Sequence, residues 1–344
     1  MAWTHVGGDA GRSGFADVAP LETEPRRLWT AKGTGLPSSV IASEDAVVVG
    51  SEADEKVAVL DPGTGEIRYE LRGKRFVKPV LAGATVLVAR ASTIFAHDLV
   101  SGHEVWSSKQ KAAVWRFCCV GEDLLVGAGE TVSRLVLADA APRLAWSSDL
   151  GGPPDTHTGP LLLALPELVL AERPMQSTAF DRTSGKPRFH LHGQLVRAGG
   201  QLIVMRGSGR IGESTLHGLD GKGVTVEECD VFAVPAPSLI VGISISPLPW
   251  RDEDQIAIRV IDPRSGARRD VGDPGYSVRR PEVVMARDVL YVTTDYGGDG
   301  AYAVRLDGQY LWGFDPESKV CALVPMEHKL IVATERSVVC LGSP

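Results

Sequence analysis

The 344-residue sequence contains no asparagine. No N-glycosylation sequon can form, and no Asn side chain can ligate a metal or donate to an oxyanion. No segment approaches the ~20 apolar residues that cross a bilayer, so no membrane partner is expected. No Lys/Arg-rich run is present, and the net charge is −7. Nucleic-acid binders carry a clustered basic surface, so that class is excluded as well. The opening Met1-Ala-Trp-Thr-His-Val has neither a basic head nor an apolar stretch. The expectation is a protein that stays in the cytoplasm. Five cysteines (Cys118, Cys119, Cys229, Cys321, Cys340) make an odd number, which suits a reducing compartment better than a disulfide framework. No sustained 3.6-residue periodicity occurs, so almost no helix is expected.

Chemical motifs are equally scarce. There is no Gly-x-Ser-x-Gly elbow, and no catalytic residue is assigned. The eight histidines show no zinc-like spacing, so neither a metal nor a cofactor is expected. Gly207-Ser-Gly-Arg-Ile-Gly212 matches a dinucleotide fingerprint, but that motif needs a helix next. Here Glu213-Ser-Thr-Leu-His217 leads into a strand. The glycines therefore read as a loop between two strands.

What the sequence does hold is a recurring turn. Asp61-Pro-Gly-Thr-Gly65, Asp98-Leu-Val-Ser-Gly102, Asp181-Arg-Thr-Ser-Gly185 and Asp262-Pro-Arg-Ser-Gly266 are its full copies. Weaker copies sit at Asp139, at Asp220 with Gly223, and at Asp307 with Gly308. The spacing is 37 to 45 residues, the period of a four-stranded propeller blade. Each repeat holds four short β-branched runs bounded by Gly, Pro and Asp, which is a strand signature. The Asp side chain can accept backbone N–H groups two and three residues on, and the Gly supplies a positive φ. Trp106, Trp146 and Trp312 follow their turns, with Tyr69 and Phe189 in equivalent places. Aromatics there can wedge between blades.

Seven repeats reach about Phe314. The runs Val320–Val324, Lys329–Ala333 and Ser337–Leu341 give only three further strands, and Arg27-Leu-Trp-Thr30 stands alone near the other end. Joining the two ends gives an eighth blade and removes exposed sheet edges. The reading is an all-β, eight-bladed propeller with four-stranded antiparallel blades. Residues 1–26 are the lead-in, 27–30 the closing strand, 36–314 seven sequential blades and 320–341 the rest of the eighth. Seven blades is the alternative.

Leu60-Asp61-Pro-Gly-Thr-Gly65, repeated, with Trp106 four residues after Gly102, resembles the PQQ-like (quinoprotein-type) β-propeller repeat. The opening Trp3-Thr-His-Val-Gly-Gly-Asp-Ala-Gly-Arg-Ser-Gly14 resembles the lead-in that many such propellers carry. The resemblance implies architecture over nearly the whole chain, and either of two activities. One branch comprises quinone-dependent dehydrogenases, which are exported, longer, and bind calcium through carboxylate and Asn side chains. The other comprises non-enzymatic scaffolds, and the missing Asn favours it. The vicinal Cys118-Cys119 pair matches a disulfide of some dehydrogenases; it also reads as two small apolar residues on alternate faces of an innermost strand.

Innermost strands line the channel and their starts face one mouth. At or near those starts lie Lys78, Trp115, Arg116, His157, Arg197, Arg279, Arg280 and Lys319, with Arg75 nearby. Converging cations would form a funnel for an anionic ligand, focused by low-dielectric walls. The competing reading pairs them with Glu52, Asp54, Glu55, Glu172, Asp252, Glu253, Asp254 and Asp295. A longer loop, Ile245 to Asp254, carries Trp250, Arg251 and Asp252. Loops on rigid scaffolds are where binding concentrates, and Trp and Arg are favoured anchors. The functional expectation is a monomeric, non-catalytic scaffold for a protein partner. An anionic small-molecule site in the funnel is the alternative, and a quinone-dependent oxidoreductase the remote one.

Overall fold

The computed structural model describes residues 4–5, 8–9, 14–74, 76–137, 141–151, 161–173, 176–199, 202–206, 214–226, 230–236, 239–247, 254–262, 267–277, 282–293 and 300–343. Among them there is no helix. Eight sheets are present, each containing four consecutively paired antiparallel strands. Blade one is Ser39–Ala42, Val47–Ser51, Lys56–Leu60 and Ile67–Arg72. Blades two to seven follow in chain order, with innermost strands Phe76–Ala82, Val114–Val120, Leu162–Ala164, Gln194–Gly199, Asp230–Ala236 and Val283–Ala286. Those innermost strands, with Val320–Met326 of blade eight, touch their neighbours in one unbroken cycle. The architecture is an eight-bladed β-propeller.

The second strands explain the core. Val47–Ser51, Thr85–Arg90 and Leu168–Arg173 are nearly continuous Val, Leu and Ala, and are buried along almost their full length. A strand sandwiched on both faces needs apolar side chains on both. The core is consequently divided into clusters between neighbouring blades. One joins Cys119, Phe117 and Leu124 of blade three to Val80 and Leu87 of blade two. The next joins Cys118 and Leu125 to Leu162, Val169 and Phe180 of blade four. The two cysteines thus face opposite neighbours, as the alternation of a strand requires, and both are free thiols.

The Asp turn behaves as its chemistry dictates. Asp61 Oδ1 accepts from the N–H groups of Gly63 and Thr64, each at 2.9 Å. Arg68 donates to the other oxygen at 2.7 Å. Arg68 first, then those N–H groups, pull the Asp61 pKa down to about 2. Asp98 and Asp181 receive the same bonds from Ser101 and Ser184. Gly65, Gly102 and Gly185 take φ of +76°, +74° and +70°. The copy at Asp220 differs from the sequence expectation. Its loop is closed tightly by Gly218 and Lys222, so the positive φ falls on Gly221 at +80° and Gly223 opens the next strand.

Trp146 and Tyr69, each following a turn of its own blade, land on the following blade's turn. Trp146 Nε1 donates to Arg182 O at 2.8 Å, and Tyr69 OH donates to Asp98 O at 2.9 Å. Both follow a register shift in their outermost strand, and a β-bulge re-aims the side chain it precedes. The ring lies so close that a Cβ on Gly185 would sit 2.5 Å from Trp146, and one on Gly102 2.8 Å from Tyr69. The turn glycine is therefore required twice, for its φ and for the ring above it.

The two ends of the chain share blade eight. Arg26–Lys32 pairs antiparallel with Ser337–Gly342, matching Trp29 with Cys340, Thr30 with Val339 and Ala31 with Val338. The strand is longer than the expected 27–30, and Leu28 sits at its bulge. Blade eight has no turn between its third and fourth strands, because the chain ends lie there. Trp312 of blade seven instead donates to Leu21 O at 2.8 Å. The lead-in so replaces the missing turn.

Candidate functional site

The two mouths of the channel differ. The lead-in runs along the face that carries the Asp turns. Leu81 N of blade two donates to Thr4 O at 3.0 Å. Cys119 N of blade three donates to His5 Nε2 at 2.9 Å. Phe15–Ala16 then adds a parallel strand to the inner edge of blade seven, matching Phe15 with Met285. The inner edges of three blades thereby gain partners for N–H groups that would otherwise face the channel. From there Leu21 N donates to Tyr291 OH at 2.7 Å, and Ala19 N to Glu327 Oε2 at 3.0 Å.

On the other face the innermost strands begin, and a cleft of about 710 Å³ opens there across blades one to three. Ser38, Ser39, Glu52, Glu55, Lys56, Phe76, Lys78, Pro79, Trp115 and Arg116 contribute to its wall. Of the residues expected in a funnel, the structure brings Lys78, Trp115 and Arg116 together here. Arg197 lies on the innermost strand of blade five and Lys319 just before that of blade eight, and neither belongs to this wall. His157, Arg279, Arg280, Trp250, Arg251 and Asp252 lie outside the described residues. So do Arg75, Glu253, Asp295 and the side chain of Asp254.

A register shift accompanies three of the cationic residues. The innermost strand is bulged between Val77 and Val80, between Val114 and Arg116, and between Leu195 and Arg197. Lys78 lies within its bulge, and Arg116 and Arg197 immediately after theirs. Trp115, at the bulge itself, folds over its own blade. Its ring covers Gly127, where a Cβ would sit 2.3 Å away, and Nε1 donates to Gly129 O at 3.0 Å.

Several expected acids have structural employment. Asp54 accepts from Ser51 Oγ at 2.6 Å and Leu36 N at 3.0 Å, and these bonds hold its carboxyl below the usual range. Glu172, 4% exposed, accepts from Leu161 N and from Leu195 N of blade five. Glu52 and Glu55 remain exposed at the rim of the cleft. Lys56, which the sequence reading missed, pairs with Glu70 at 2.7 Å and donates to Gly33 O. Ser38 donates to Gly50 O at 3.1 Å. Ser39, also missed, is 4% exposed, and its hydroxyl finds no hydrogen-bond partner among the described residues. A run of small residues before an apolar strand carries no signal that would have marked it.

Burial disfavours the thiolate at each of the four described cysteines. Burial pushes Cys118 up to about 12, against the pull of Arg116 and with Asp9 of the lead-in adding to it. Burial raises Cys119 and Cys321 as well, and Cys340 to about 11. Nucleophilic cysteines need the opposite shift. Among the described residues, no three His, Cys, Asp or Glu side chains converge as a metal site would need.

A closed ring of eight four-stranded blades, its ends zipped in one sheet, defines an eight-bladed β-propeller. Residues 15–133 match the PQQ-type family described as outer membrane protein assembly factor BamB. Solved structures share the ring. The computationally designed Ika8 protein is 13% identical, with 92% of this chain and 100% of that one covered at a TM-score of 0.66. A europium-containing methanol dehydrogenase is 12% identical over 97% and 89%, at 0.65. Sqt1 of Saccharomyces cerevisiae is 10% identical over all of both chains, at 0.62. At such identities these likenesses define the fold alone. No curated protein matches the sequence.

Proposed function

We propose that this propeller is a non-catalytic scaffold that holds a protein partner in the cytoplasm, and that the partner docks at the mouth opposite the lead-in. The observation that carries the reading is the open cleft lined by Lys56, Lys78, Trp115 and Arg116. It combines apolar wall (Phe76, Val77, Pro79, Val114) with charged groups, the mixture found at protein interfaces. Its walls are strands of three blades in a closed ring, so binding costs little reordering. Trp250, in the segment between the second and third strands of blade six, is the second anchor in this reading. The raised thiols argue against covalent catalysis, and the PQQ-like repeat is used by proteins of both kinds.

The test compares cross-linked complexes formed by the wild type, by Trp250→Ala and by Arg116→Glu. The expected result is one partner enriched by the wild type and lost from both variants, with melting temperatures unchanged. The same proteins captured by all three chains, or none by any, would overturn the reading.

A further inference from the structure

Blade two separates its charges by end. Between Arg72 and Arg116 the sequence holds only two carboxylates, Asp98 and Glu104. Both belong to the turn end, where Asp98 accepts from Ser101 N and Glu104 pairs with His97. The mouth end gathers cations from three separate stretches. Arg72 and Lys74 enter from blade one, Arg90 ends the second strand, Lys109 ends the fourth, and Lys111 follows it. Strand pairing sets Phe76 opposite Arg90, Arg90 opposite Thr93 and Thr93 opposite Lys109. Residues directly opposite one another share a face of the sheet, so Arg90 and Lys109 stand in one row. Gln110 N donates to Ser92 O at 2.6 Å and Val114 N to Ala91 O at 2.7 Å, which ties the hairpin after Arg90 to the connection carrying Lys111.

Arg90 is held without being neutralised. Its guanidinium lies 4.8 Å from the centre of the Phe76 ring and 5.4 Å from that of Phe95. Gly73 backs it from the blade-one side, where a Cβ would sit 2.8 Å from Cζ. Aromatic faces attract a cation but leave its charge and its N–H groups in place. Arg90 makes no hydrogen bond or ion pair with a described residue, and of its nitrogens only Nε is shut off from solvent. The two Nη groups are left for a ligand. Lys74, Lys109 and Lys111 are exposed and have no ion pair among the described residues. Arg72 is already paired with Glu70 at 2.8 Å, and Lys78 and Arg116 have interactions of their own, so those three add nothing to the patch. In a chain of net charge −7, uncommitted cations on one blade end make a local positive field.

We infer that the mouth end of blade two, at Arg90, Lys109 and Lys111 with Lys74 beside them, docks an acidic segment of the protein partner. The inference rests on the docking mouth proposed above, whose cleft shares Phe76 with the patch, and adds the chemistry of what docks there. Arg90, preorganised by its two rings, takes one carboxylate through its Nη groups, and the lysines hold neighbouring carboxylates by charge. Four strands span about 15 Å, the length of roughly five extended residues. A duplex nucleic acid is held through roughly 6–10 phosphate contacts, more than this patch supplies. Glu52 and Glu55 stand exposed on blade one, and Glu55 O accepts from Gly73 N at 2.9 Å. Their carboxylates border the patch and repel a polyanion that runs beyond blade two.

The experiment measures the anisotropy of fluorescein-labelled hexaglutamate with the full chain, beside labelled hexalysine and oligothymidylate. Hexaglutamate binds, hexalysine does not, and sodium chloride weakens the complex. Arg90→Gln weakens it about tenfold, the usual loss of a hydrogen bond to a charged group. The double variant Lys109→Gln, Lys111→Gln changes only exposed side chains and weakens it about fivefold, as two exposed ion pairs do. Glu55→Gln tightens it, a gain that a misfolded variant cannot mimic. Arg268→Gln with Arg269→Gln, two exposed arginines of blade six, leaves it unchanged. An equal loss in the blade-six variant, or none in the blade-two variants, would reduce the binding to overall charge and overturn the patch. Absence of hexaglutamate binding, or a preference for oligothymidylate, would overturn it too. Hexaglutamate binding that is lost in the blade-two variants, with cross-linked partners indifferent to Trp250→Ala and Arg116→Glu, supports the patch and removes the docking mouth as drawn. The reverse result keeps the mouth and overturns the patch.

Discussion

His5 is held as a neutral base. Its Nε2 accepts from Cys119 N at 2.9 Å, so the ring proton sits on Nδ1, 2.8 Å from Thr4 Oγ1. Burial lowers its pKa from 6.5 to about 3, because a charged ring there would lose its water. The unfolded chain takes up this proton near pH 6.5 and the folded chain only near 3. The contribution is therefore complete above pH 6.5 and is lost as pH falls toward 3. Exchange of the Cys119 amide, corrected for intrinsic rate, should accelerate through that window while Leu87 in the neighbouring blade stays protected. His5→Gln keeps an acceptor without a titrating proton and should abolish the acceleration. Unchanged Cys119 protection at pH 4 would show that His5 does not fix the lead-in. The turn glycines give a second contrast. Gly83 and Gly102 both have positive φ, +57° and +74°, but nothing lies within 4 Å of a Cβ at Gly83. Gly83→Ala should cost about 1 kcal/mol from backbone strain alone. Gly102→Ala must also displace the Tyr69 ring, and its urea midpoint should fall clearly further. Equal losses would mean that the ring exerts no constraint.

At the scale of the element, the outermost strand is a clamp on the next blade. Trp146 packs against the core between blades three and four, donates to Arg182 O, and covers the turn at Gly185. The same turn is tied from below, where Asp123, 5% exposed, receives Arg134 at 2.8 Å and Arg182 at 3.3 Å. Trp146 is half-buried, so Trp146→Ala should cost about 2–3 kcal/mol, below the range for truncating a fully buried aromatic. Trp146→Phe, which retains the ring but not the donor, should recover most of it. Equilibrium unfolding measures both, and a loss under 1 kcal/mol for the alanine variant would refute the clamp. The turn, the wedge and the alternation at Cys118 and Cys119 were readable in the sequence because each follows from a short local pattern. The bulges were not. In Val77-Lys-Pro-Val80 only Pro79, which cannot donate to the ladder, hints at a slipped register, and nothing in Val114-Trp-Arg116 does. Lys78 and Arg116 were legible as residues near a mouth, while Ser39, marked only by a missing partner, was invisible.

The whole molecule depends on where its ends meet. A propeller without closure leaves a blade edge bare at one side and a seam unsealed, and an exposed edge templates aggregation. Here the seam is closed twice. Arg26–Lys32 completes blade eight beside Ser337–Gly342, and the preceding lead-in covers the inner edge of blade seven and accepts from Trp312. Ion pairs of Arg305 with Glu22 and Arg287 with Asp17 lie along the same path, and being exposed they add little. The two closures separate by truncation. A chain beginning at residue 26 keeps the outermost strand and its Trp29 donation to Pro62 O, but loses the bonds donated by Trp312 and Cys119 and the one accepted by Tyr291. It should fold as a monomer with a lower melting temperature. A chain beginning at residue 36 loses the strand as well, leaving Ser337–Gly342 as a bare apolar edge. That chain should aggregate on gel filtration, and a synthetic peptide of residues 24–35 added during refolding should restore the monomer. If the shorter chain is monomeric and as stable as the longer one without peptide, the ring is held by its blades alone.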